Sequence, residues 1–354
     1  MKIKSVVFKM LWELIILLTS VILCVFYEYI KNKNKKIASF ILFILIIFLS
    51  IIFAFREFIL DNNLLGTDYY EYKNWFEIKN FSNLFNNINN FGFNLLISIV
   101  KVFTSSFYFF LFICALIINT NIIKFTKENS INFTISILIY ICLYYTNTFN
   151  ITRQWIACSI FLYAFKYIKQ KNFLKYMFFI LLASSFHNTA FFLIIIYPIL
   201  NSDKFKVKGK IYTIIISGII LFFLSSRFIE SLYKLSNLLG FNYAIKYENY
   251  TGNVGNYTSF IISLFTFIIL IIGNKEIKKK NYDDRMLKIS AIYLILFVVM
   301  SLLSTKSYIF NRINLYFIGS LMLTFPYLIN IFENRSKILV EYIIFIVLSF
   351  AFIT

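Results

Sequence analysis

Apolar runs long enough to cross a membrane follow one another along almost the whole 354-residue sequence. Hydrophobic residues make up 60% of the chain and charged residues only 14%. A soluble core cannot remove this much Ile, Leu and Phe from water, so soluble enzymes, disulfide scaffolds and disordered chains are excluded. The sequence predicts an all-α polytopic membrane protein, because a helix satisfies its backbone groups internally within lipid. Ten runs have spanning length: 10–30, 37–55, 104–122, 131–149, 153–168, 211–227, 257–273, 289–305, 313–331 and 338–354.

One further apolar stretch, 174–200, has a polar centre around His187. It can form one long helix or two short arms. The positive-inside rule favours two arms with a helix break near His187, because the predicted inner loops then hold 22 of the 35 Lys and Arg residues. We therefore expect about 11–12 transmembrane helices. The choice between the two counts stays open, as does the orientation of the N-terminus, since Lys2, Lys4 and Lys9 favour a cytoplasmic start.

The spans form one predicted integral membrane domain over 1–354, with two larger outer loops at 56–92 and 228–256. The segment 91–103, which carries Lys101, has the pattern of an amphipathic interfacial helix. The net charge is +19. Because the basic residues cluster between apolar runs, they are typical of topology-setting loops, and we expect no nucleic-acid partner.

Cofactor chemistry has no motif in this sequence. The four cysteines lie inside apolar runs without CxxC spacing, which disfavours a disulfide framework and a metal site. P-loop, GxGxxG and HExxH patterns are absent, so nucleotide hydrolysis, redox cofactors and catalytic zinc lack their residues. We expect neither a cofactor nor a metal.

Arginine is concentrated at the predicted outer ends of the spans. Four of the six arginines lie there: Arg56, Arg153, Arg227 and Arg312. A guanidinium presents a planar fork of donors that binds phosphate at two points. The pattern indicates a diphosphate ligand, and the alternative is a set of ordinary interface residues that extend toward water.

The sequence before Arg153 reads TNTFNITRQWIA and separates two apolar runs. We expect Asn147, Thr148 or Asn150 to cap the following helix. The N-terminus of that helix then attracts an anion beside Arg153. A plain capped turn is the alternative.

His187 and Asp68 are the candidate proton acceptors. His187 is the only histidine and lies within an apolar stretch, where ionisable groups are costly and usually line a polar cavity. Asp68 belongs to the segment GTDYYEYKNWF, which combines carboxylates with flat aromatic rings, as sugar recognition requires. The alternatives are a structural histidine and a solvated turn.

Five short segments, taken in order, resemble the EpsG family, a Wzy-like group of polytopic bacterial proteins that act in exopolysaccharide, capsule and O-antigen assembly. The segments are AFREF at 54–58, GTDYYEY at 66–72, TRQWIA at 152–157, FHNTA at 186–190 and NRINLYF at 311–317. The resemblance implies a GT-C-like, metal-independent polymerase in the bacterial cytoplasmic (inner) membrane. Its donor and acceptor would be undecaprenyl-diphosphate-linked oligosaccharides bound at the outer face.

The resemblance and the arguments above together give the expected site residues. The catalytic candidates are His187, Asp68 and Arg153, and the choice of general base between the first two stays open. The substrate-binding candidates are Arg56, Gly66, Tyr69, Tyr72, Gln154, Arg312 and Tyr316. Lys246 stands where the resemblance would place an arginine, which puts donor contacts around it in doubt.

Three other functions remain compatible with the sequence. An O-antigen-type ligase would use the same lipid-linked donor, and a lipid-linked oligosaccharide flippase or transporter would bind it without chemistry. A scaffold in the assembly machinery would not bind it at all. Expected partners besides the substrates are membrane lipid and, as further candidates, a chain-length regulator and a flippase of the same pathway.

Overall fold

The computed structural model describes residues 2–59, 68–81, 91–201, 207–238, 257–279, 282–332 and 334–353. Over these residues the chain is helical and contains no strand, which confirms the predicted all-α fold. The chain divides into two compact units, 1–194 with 332–354, and 195–331. The single integral membrane domain over 1–354 stays a prediction.

The helices of the two units are named in chain order. The first unit contains α1 (Lys2–Ile30), α2 (Lys35–Ala54), α3 (Arg56–Ile59), α4 (Tyr69–Ile78), α5 (Phe91–Phe103), α6 (Phe107–Asn129), α7 (Phe133–Tyr140), α8 (Thr152–Lys169) and α9 (Phe173–Phe186). The second contains α10 (Ile196–Asn201), α11 (Val207–Leu238), α12 (Tyr257–Lys279), α13 (Asp284–Ser304), α14 (Tyr308–Asn314) and α15 (Gly319–Ile329). The last helix, α16 (Asn334–Ile353), belongs to the first unit.

Four helices of the described chain are long and apolar enough to cross a membrane: Leu11–Ile30, Lys35–Ala54, Phe107–Asn129 and Arg285–Ser304. A fifth span is formed if Tyr308–Phe317 and Gly319–Ile329, which meet at an angle of 50°, are counted together. Three other predicted spans, 131–149, 211–227 and 257–273, contain shorter apolar helices, as do the two arms of 174–200. The predicted spans 153–168 and 338–354 overlap α8 and α16. The protein is therefore a multi-pass membrane protein, and the count of 11–12 spans stays a prediction.

The predicted helix break falls where the sequence indicated it. Helix α9 ends at Phe186, and His187 has an extended backbone with φ −152° and ψ 116°. A 3₁₀ segment, Asn188–Ile195, follows and leads into α10. The predicted helix at 91–103 is also confirmed, since α5 has the same bounds.

The second predicted outer loop, 228–256, begins as helix rather than as loop. Helix α11 continues to Leu238, and residues 239–256 lie outside the described part of the chain. No Gly or Pro occurs between Gly218 and Gly240, so no helix-breaking residue ends the helix at the edge of the apolar run.

Polar residues in the short connections begin several of the helices. Their side-chain oxygens accept first-turn N–H groups, which satisfies donors that have no partner within the helix. Six helices start in this way, with caps at Asn34, Ser106, Asn132, Asn172, Asp283 and Ser307. Helix α8 differs from these six, as described below.

The first unit is built around α6, which packs against α2 and α8, while α8 and α9 form an antiparallel pair. A buried polar network joins three of its elements inside this apolar bundle. The phenol of Tyr140 donates to the Asn119 side chain at 2.9 Å, and Asn119 donates to Ser50 at 3.2 Å. Buried polar groups inside a bundle are hydrogen-bonded in this way because an unsatisfied group in lipid is costly.

The link between α7 and α8 is irregular and shapes the region before Arg153. A π-helical turn, Ile141–Tyr145, is followed by a 3₁₀ turn, Thr146–Phe149. The Tyr145 hydroxyl donates to the Leu49 carbonyl on α2 at 2.5 Å, which anchors the turn to its neighbour. Single π-helical turns occur frequently at functional sites.

The second unit is centred on α13, which packs against α11, α12, α14 and α15. Small residues allow the close approach of these helices. An added Cβ at Gly218 would lie 2.5 Å from Val299, and one at Gly273 would lie 2.0 Å from Ile331. Close packing at small residues is the usual way in which membrane helices associate.

Candidate functional site

Arg153 lies in the first turn of α8 against two aromatic rings. Its Cζ atom is 4.4 Å from the ring centroid of Trp75 and 5.9 Å from that of Phe93. The Nε atom is buried and has no hydrogen-bond partner among the described residues. Within the same part of the chain, no carboxylate forms an ion pair with the guanidinium. Arg153 therefore has an unused donor and no carboxylate partner within the described residues, a combination that suits an anion.

The start of α8 adds a second feature that attracts anions. Its N-cap residue is Ile151, and no side chain caps the helix, so the prediction of a cap at Asn147, Thr148 or Asn150 is wrong. Thr148 donates its hydroxyl to the carbonyl three residues earlier, and the Asn150 amide oxygen accepts the N–H of Asp68 at 3.1 Å. Those interactions occupy two of the expected caps and leave the first-turn N–H groups without a side-chain acceptor.

Tyr72 and Asp68 approach the same region from α4. The Tyr72 hydroxyl donates to Asp68 Oδ2 at 3.5 Å, and its ring centroid is 5.9 Å from that of Trp75. Burial raises the pKa of Tyr72 to about 12, while the nearby charge of Arg153 acts in the opposite direction. The phenol is therefore protonated at neutral pH, and its one hydrogen is directed at the Asp68 carboxylate.

Arg56, a predicted substrate-binding residue, occupies a different environment from Arg153, a predicted catalytic residue. Its side chain has no exposed surface, and it donates to the carbonyls of Phe53 at 2.8 Å and Phe149 at 3.1 Å. Its Cζ atom lies 4.9 Å from the ring centroid of Tyr69. Arg56 thus connects the end of α2 to the 3₁₀ turn that precedes α8.

Glu57, which the sequence analysis did not single out, holds two phenols. Tyr69 and Tyr108 donate to the same carboxylate oxygen, Oε2, at 2.7 Å and 2.6 Å. These hydrogen bonds, from Tyr108 and then Tyr69, hold the pKa of Glu57 below its ordinary value of 4.5. In the sequence, the only signal for Glu57 was its position next to Arg56. Its hydrogen-bond partners, Tyr69 and Tyr108, are 12 and 51 residues away.

His187 lies at the same end of the α8–α9 pair as Arg153. Arg153 is 16 residues before the end of α8 and His187 is 14 residues after the start of α9, which are distances of about 24 Å and about 21 Å along the two helices. The His187 side chain is 6% exposed. Its Nδ1 atom is 2.7 Å from the Thr189 hydroxyl.

Helix α5 contributes Phe93 to the surroundings of Arg153 and packs against α9. Phe93 contacts the Arg153 guanidinium. At the preceding residue, Gly92, an added Cβ would lie only 2.3 Å from Ser185 Oγ and 3.1 Å from the Ser185 carbonyl carbon. Gly92 therefore permits α5 to pack directly against the last turn before His187.

The first unit thus brings together Arg56, Asp68, Tyr69, Tyr72 and Arg153, with Gln154 buried beside them on α8. Trp75 and Phe93 complete the site and were missed as functional residues. Trp75 lay within the segment GTDYYEYKNWF, and its Arg153 contact joins elements distant in sequence. Gly66 and Lys246 lie outside the described residues, and the side chain of Arg227 is not described.

Arg312 and Tyr316 belong to the second unit. The Arg312 guanidinium donates to the Tyr308 hydroxyl, and its Cζ atom is 4.6 Å from the Tyr308 ring centroid. Tyr316 has no exposed surface, and its carbonyl accepts the Tyr293 hydroxyl at 2.5 Å. Arg312 is therefore a half-buried cation on a short helix, and Tyr316 is a core residue of its unit.

The described residues contain no group of three or more His, Cys, Asp or Glu side chains that could hold a metal ion. A guanidinium and an uncapped helix start, which lie together here, are groups that can bind an anion. The fold and site define a helical, multi-pass membrane protein with a cationic, aromatic-walled site at the end of one helix pair.

The chain belongs to the EpsG family, whose model matches residues 46–354. This confirms the resemblance found in the sequence. The family is a Wzy-like polymerase family, which supports a polysaccharide polymerase role in general. No curated protein and no solved structure matches the chain.

Proposed function

We propose that this protein is a metal-independent glycosyltransferase that joins undecaprenyl-diphosphate-linked oligosaccharide repeat units at the outer face of the bacterial cytoplasmic membrane. Its product would be an O-antigen, capsule or exopolysaccharide chain. The observation that carries the proposal is the Arg153 guanidinium, which has no carboxylate partner among the described residues and lies at an uncapped helix start.

Arg153 is suited to the donor diphosphate for three reasons. Its charge is not neutralised within the described part of the chain, the first-turn N–H groups of α8 add partial positive charge, and the Trp75 ring fixes the plane of the guanidinium. These groups stabilise negative charge on the leaving diphosphate. The proposal needs no metal, because the fixed cation and the helix terminus supply the charge.

The reaction then requires one proton acceptor. The acceptor sugar hydroxyl attacks the anomeric carbon of the donor, its proton passes to the general base, and the bond between that carbon and the diphosphate oxygen breaks. His187 acts as the base through Nε2 when Nδ1–H donates to Thr189. Asp68 is the competing candidate, because its carboxylate already accepts from the Tyr72 phenol.

Arg56 fits a positioning role better than substrate contact. Its complete burial and its two carbonyl acceptors support a function in holding the turn before Arg153. Arg312, which is half-buried beside Tyr308, stays a proposed substrate-binding residue.

The experiment is polymerisation in vitro by the purified protein in nanodiscs, with undecaprenyl-diphosphate-linked oligosaccharide and EDTA, and with product lengths resolved on a gel. We expect a ladder from the wild type, loss of the ladder from Arg153→Ala, and a normal ladder from the exposed control Arg285→Ala. A wild-type protein that binds the lipid but makes no ladder would contradict the polymerase and support the ligase or the flippase.

The base is identified with the same assay and a donor-binding measurement. Replacement of the base should abolish chain extension while donor binding stays within about twofold of the wild type. We compare His187→Ala with Asp68→Asn. A variant that weakens donor binding but turns over normally is not the base.

A further inference from the structure

A cluster of three aromatic rings, Phe55, Phe58 and Tyr108, lies beside Glu57, to which Tyr108 donates a hydrogen bond. The rings of Phe55 and Tyr108 are stacked, with centroids 5.7 Å apart and an interplanar angle of 13°. Phe58 lies 5.3 Å from Tyr108 and 6.3 Å from Phe55. Phe55 is 42% exposed and Phe58 is 68% exposed, so the cluster presents an exposed apolar surface outside the protein core.

The carboxylate next to these rings has one occupied and one available oxygen. Both phenol donors, Tyr69 and Tyr108, reach Oε2, and Oε1 accepts no hydrogen bond from the described residues. Glu57 is half-buried and lies after the end of α2, beyond the apolar span. A carboxylate held by two donors has a fixed direction, and its second oxygen can accept hydroxyl groups from a ligand.

Tyr69 connects this cluster to the Arg153 site. Its hydroxyl binds Glu57, and Tyr72, which interacts with Arg153, is one helical turn further along α4. Residues three apart on a helix are close neighbours on its surface. The cluster and the proposed diphosphate site are therefore supported by the same short helix.

We propose that Glu57 Oε1 and the rings of Phe55, Phe58 and Tyr108 form a saccharide-binding subsite for an uncharged or amino sugar of the oligosaccharide substrate. The rings provide a face for the apolar side of a sugar, and the carboxylate accepts its hydroxyl or amino protons. A negatively charged sugar is disfavoured because it would meet an ionised carboxylate. This inference rests on the proposed function, which identifies the ligand as part of a lipid-linked oligosaccharide.

The competing explanation is an aromatic anchor at the membrane interface, which requires rings but no oriented carboxylate. Glu57→Gln separates the two. Its amide oxygen can accept both phenols as Oε2 does, whereas its NH₂ group replaces the acceptor Oε1. The phenol contacts are thus kept and only the open acceptor is lost.

The test measures binding of lipid-free oligosaccharide fragments, released by mild acid from the polysaccharide of the source cell, to the full-length protein in nanodiscs. Saturation-transfer NMR gives the affinity without any polymerisation. We expect Glu57→Gln and Phe58→Leu each to weaken binding about tenfold. The control Phe109→Leu replaces a phenylalanine that is 42% exposed on α6 and lies outside the cluster, and it should bind as the wild type does.

Each outcome decides the proposal. Wild-type affinity in Glu57→Gln, with the protein folded by its unfolding midpoint, overturns the subsite and leaves the interface anchor. If Phe58→Leu and Phe109→Leu weaken oligosaccharide binding equally, the subsite is also overturned. Failure of the proposed function is seen separately, because a protein that makes no polymer and binds no lipid diphosphate can still bind the fragments through Glu57.

Discussion

The guanidinium of Arg153 stacks on the indole of Trp75, with 4.4 Å between Cζ and the ring centroid. Arg153 lies in the first turn of α8 and Trp75 lies on α4, so the contact joins α4 to the start of α8. The ring orients the cation without neutralising its charge, whereas a carboxylate would neutralise it.

Replacement of Trp75 should weaken binding of the donor lipid without abolishing it. A cation–π contact contributes about 0.5–2 kcal/mol, so Trp75→Ala is expected to raise the Kd for undecaprenyl diphosphate by about 2–30-fold. Trp75→Phe, which keeps a ring, should lie between Trp75→Ala and the wild type. The Kd is measured by thermophoresis in nanodiscs, and an unchanged Kd in Trp75→Ala would contradict an orienting role.

Arg56→Lys should destabilise the protein more than Arg153→Lys does. A lysine ammonium cannot reproduce the planar fork that reaches the carbonyls of Phe53 and Phe149. We expect a loss of about 2–4 kcal/mol for Arg56→Lys and little change for Arg153→Lys, which lacks such acceptors. Thermal unfolding in detergent gives the comparison, and equal midpoints for both variants would argue against the positioning role of Arg56.

Gly92→Ala should separate α5 from α9. The added methyl group would lie 2.3 Å from Ser185 Oγ, which is held by its hydrogen bond to the Leu182 carbonyl at 2.7 Å. We expect a cost of about 1–3 kcal/mol. Ser185→Ala in the same chain removes the closest atom, so the double variant should recover part of the unfolding midpoint. No recovery would mean that the contacts at 3.1 Å with the Ser185 backbone and the Phe186 ring, rather than the hydroxyl, limit the approach.

Acidification should release α4 from Glu57. Hydrogen bonds from Tyr108 and Tyr69 lower the pKa of Glu57, and the charges of Lys73 and Arg56 act in the same direction. A carboxyl whose folded pKa is depressed stabilises the fold above its unfolded value and loses that contribution as the pH falls through the folded value. Amide exchange of α4 is therefore expected to rise below pH 4.5 in the wild type. Glu57→Gln should lack this step, and a pH-dependent rise of the same size in that variant would assign it to another group.

The sequence by itself determined the class of fold. Hydrophobic length is read along the chain without knowledge of neighbours, so the all-α membrane fold followed from it. The amphipathic pattern indicated the helix at 91–103, and the charges of the flanking loops favoured the break at His187. The EpsG family was also found from short segments in order. The end of α11 was misjudged because a helix can continue beyond its apolar run when no breaker follows.

Only the tertiary structure distinguished the roles of similar side chains. Arg56 and Arg153 looked equivalent in sequence, yet one is buried on carbonyls and the other lies on an indole without a carboxylate partner among the described residues. Glu57 gained two phenols from elements far along the chain. Periodicity and composition are local properties, whereas the partners of a charged group are decided by which helices pack together and in what register. That is why the candidate arginines could be named from sequence, and their different environments could not.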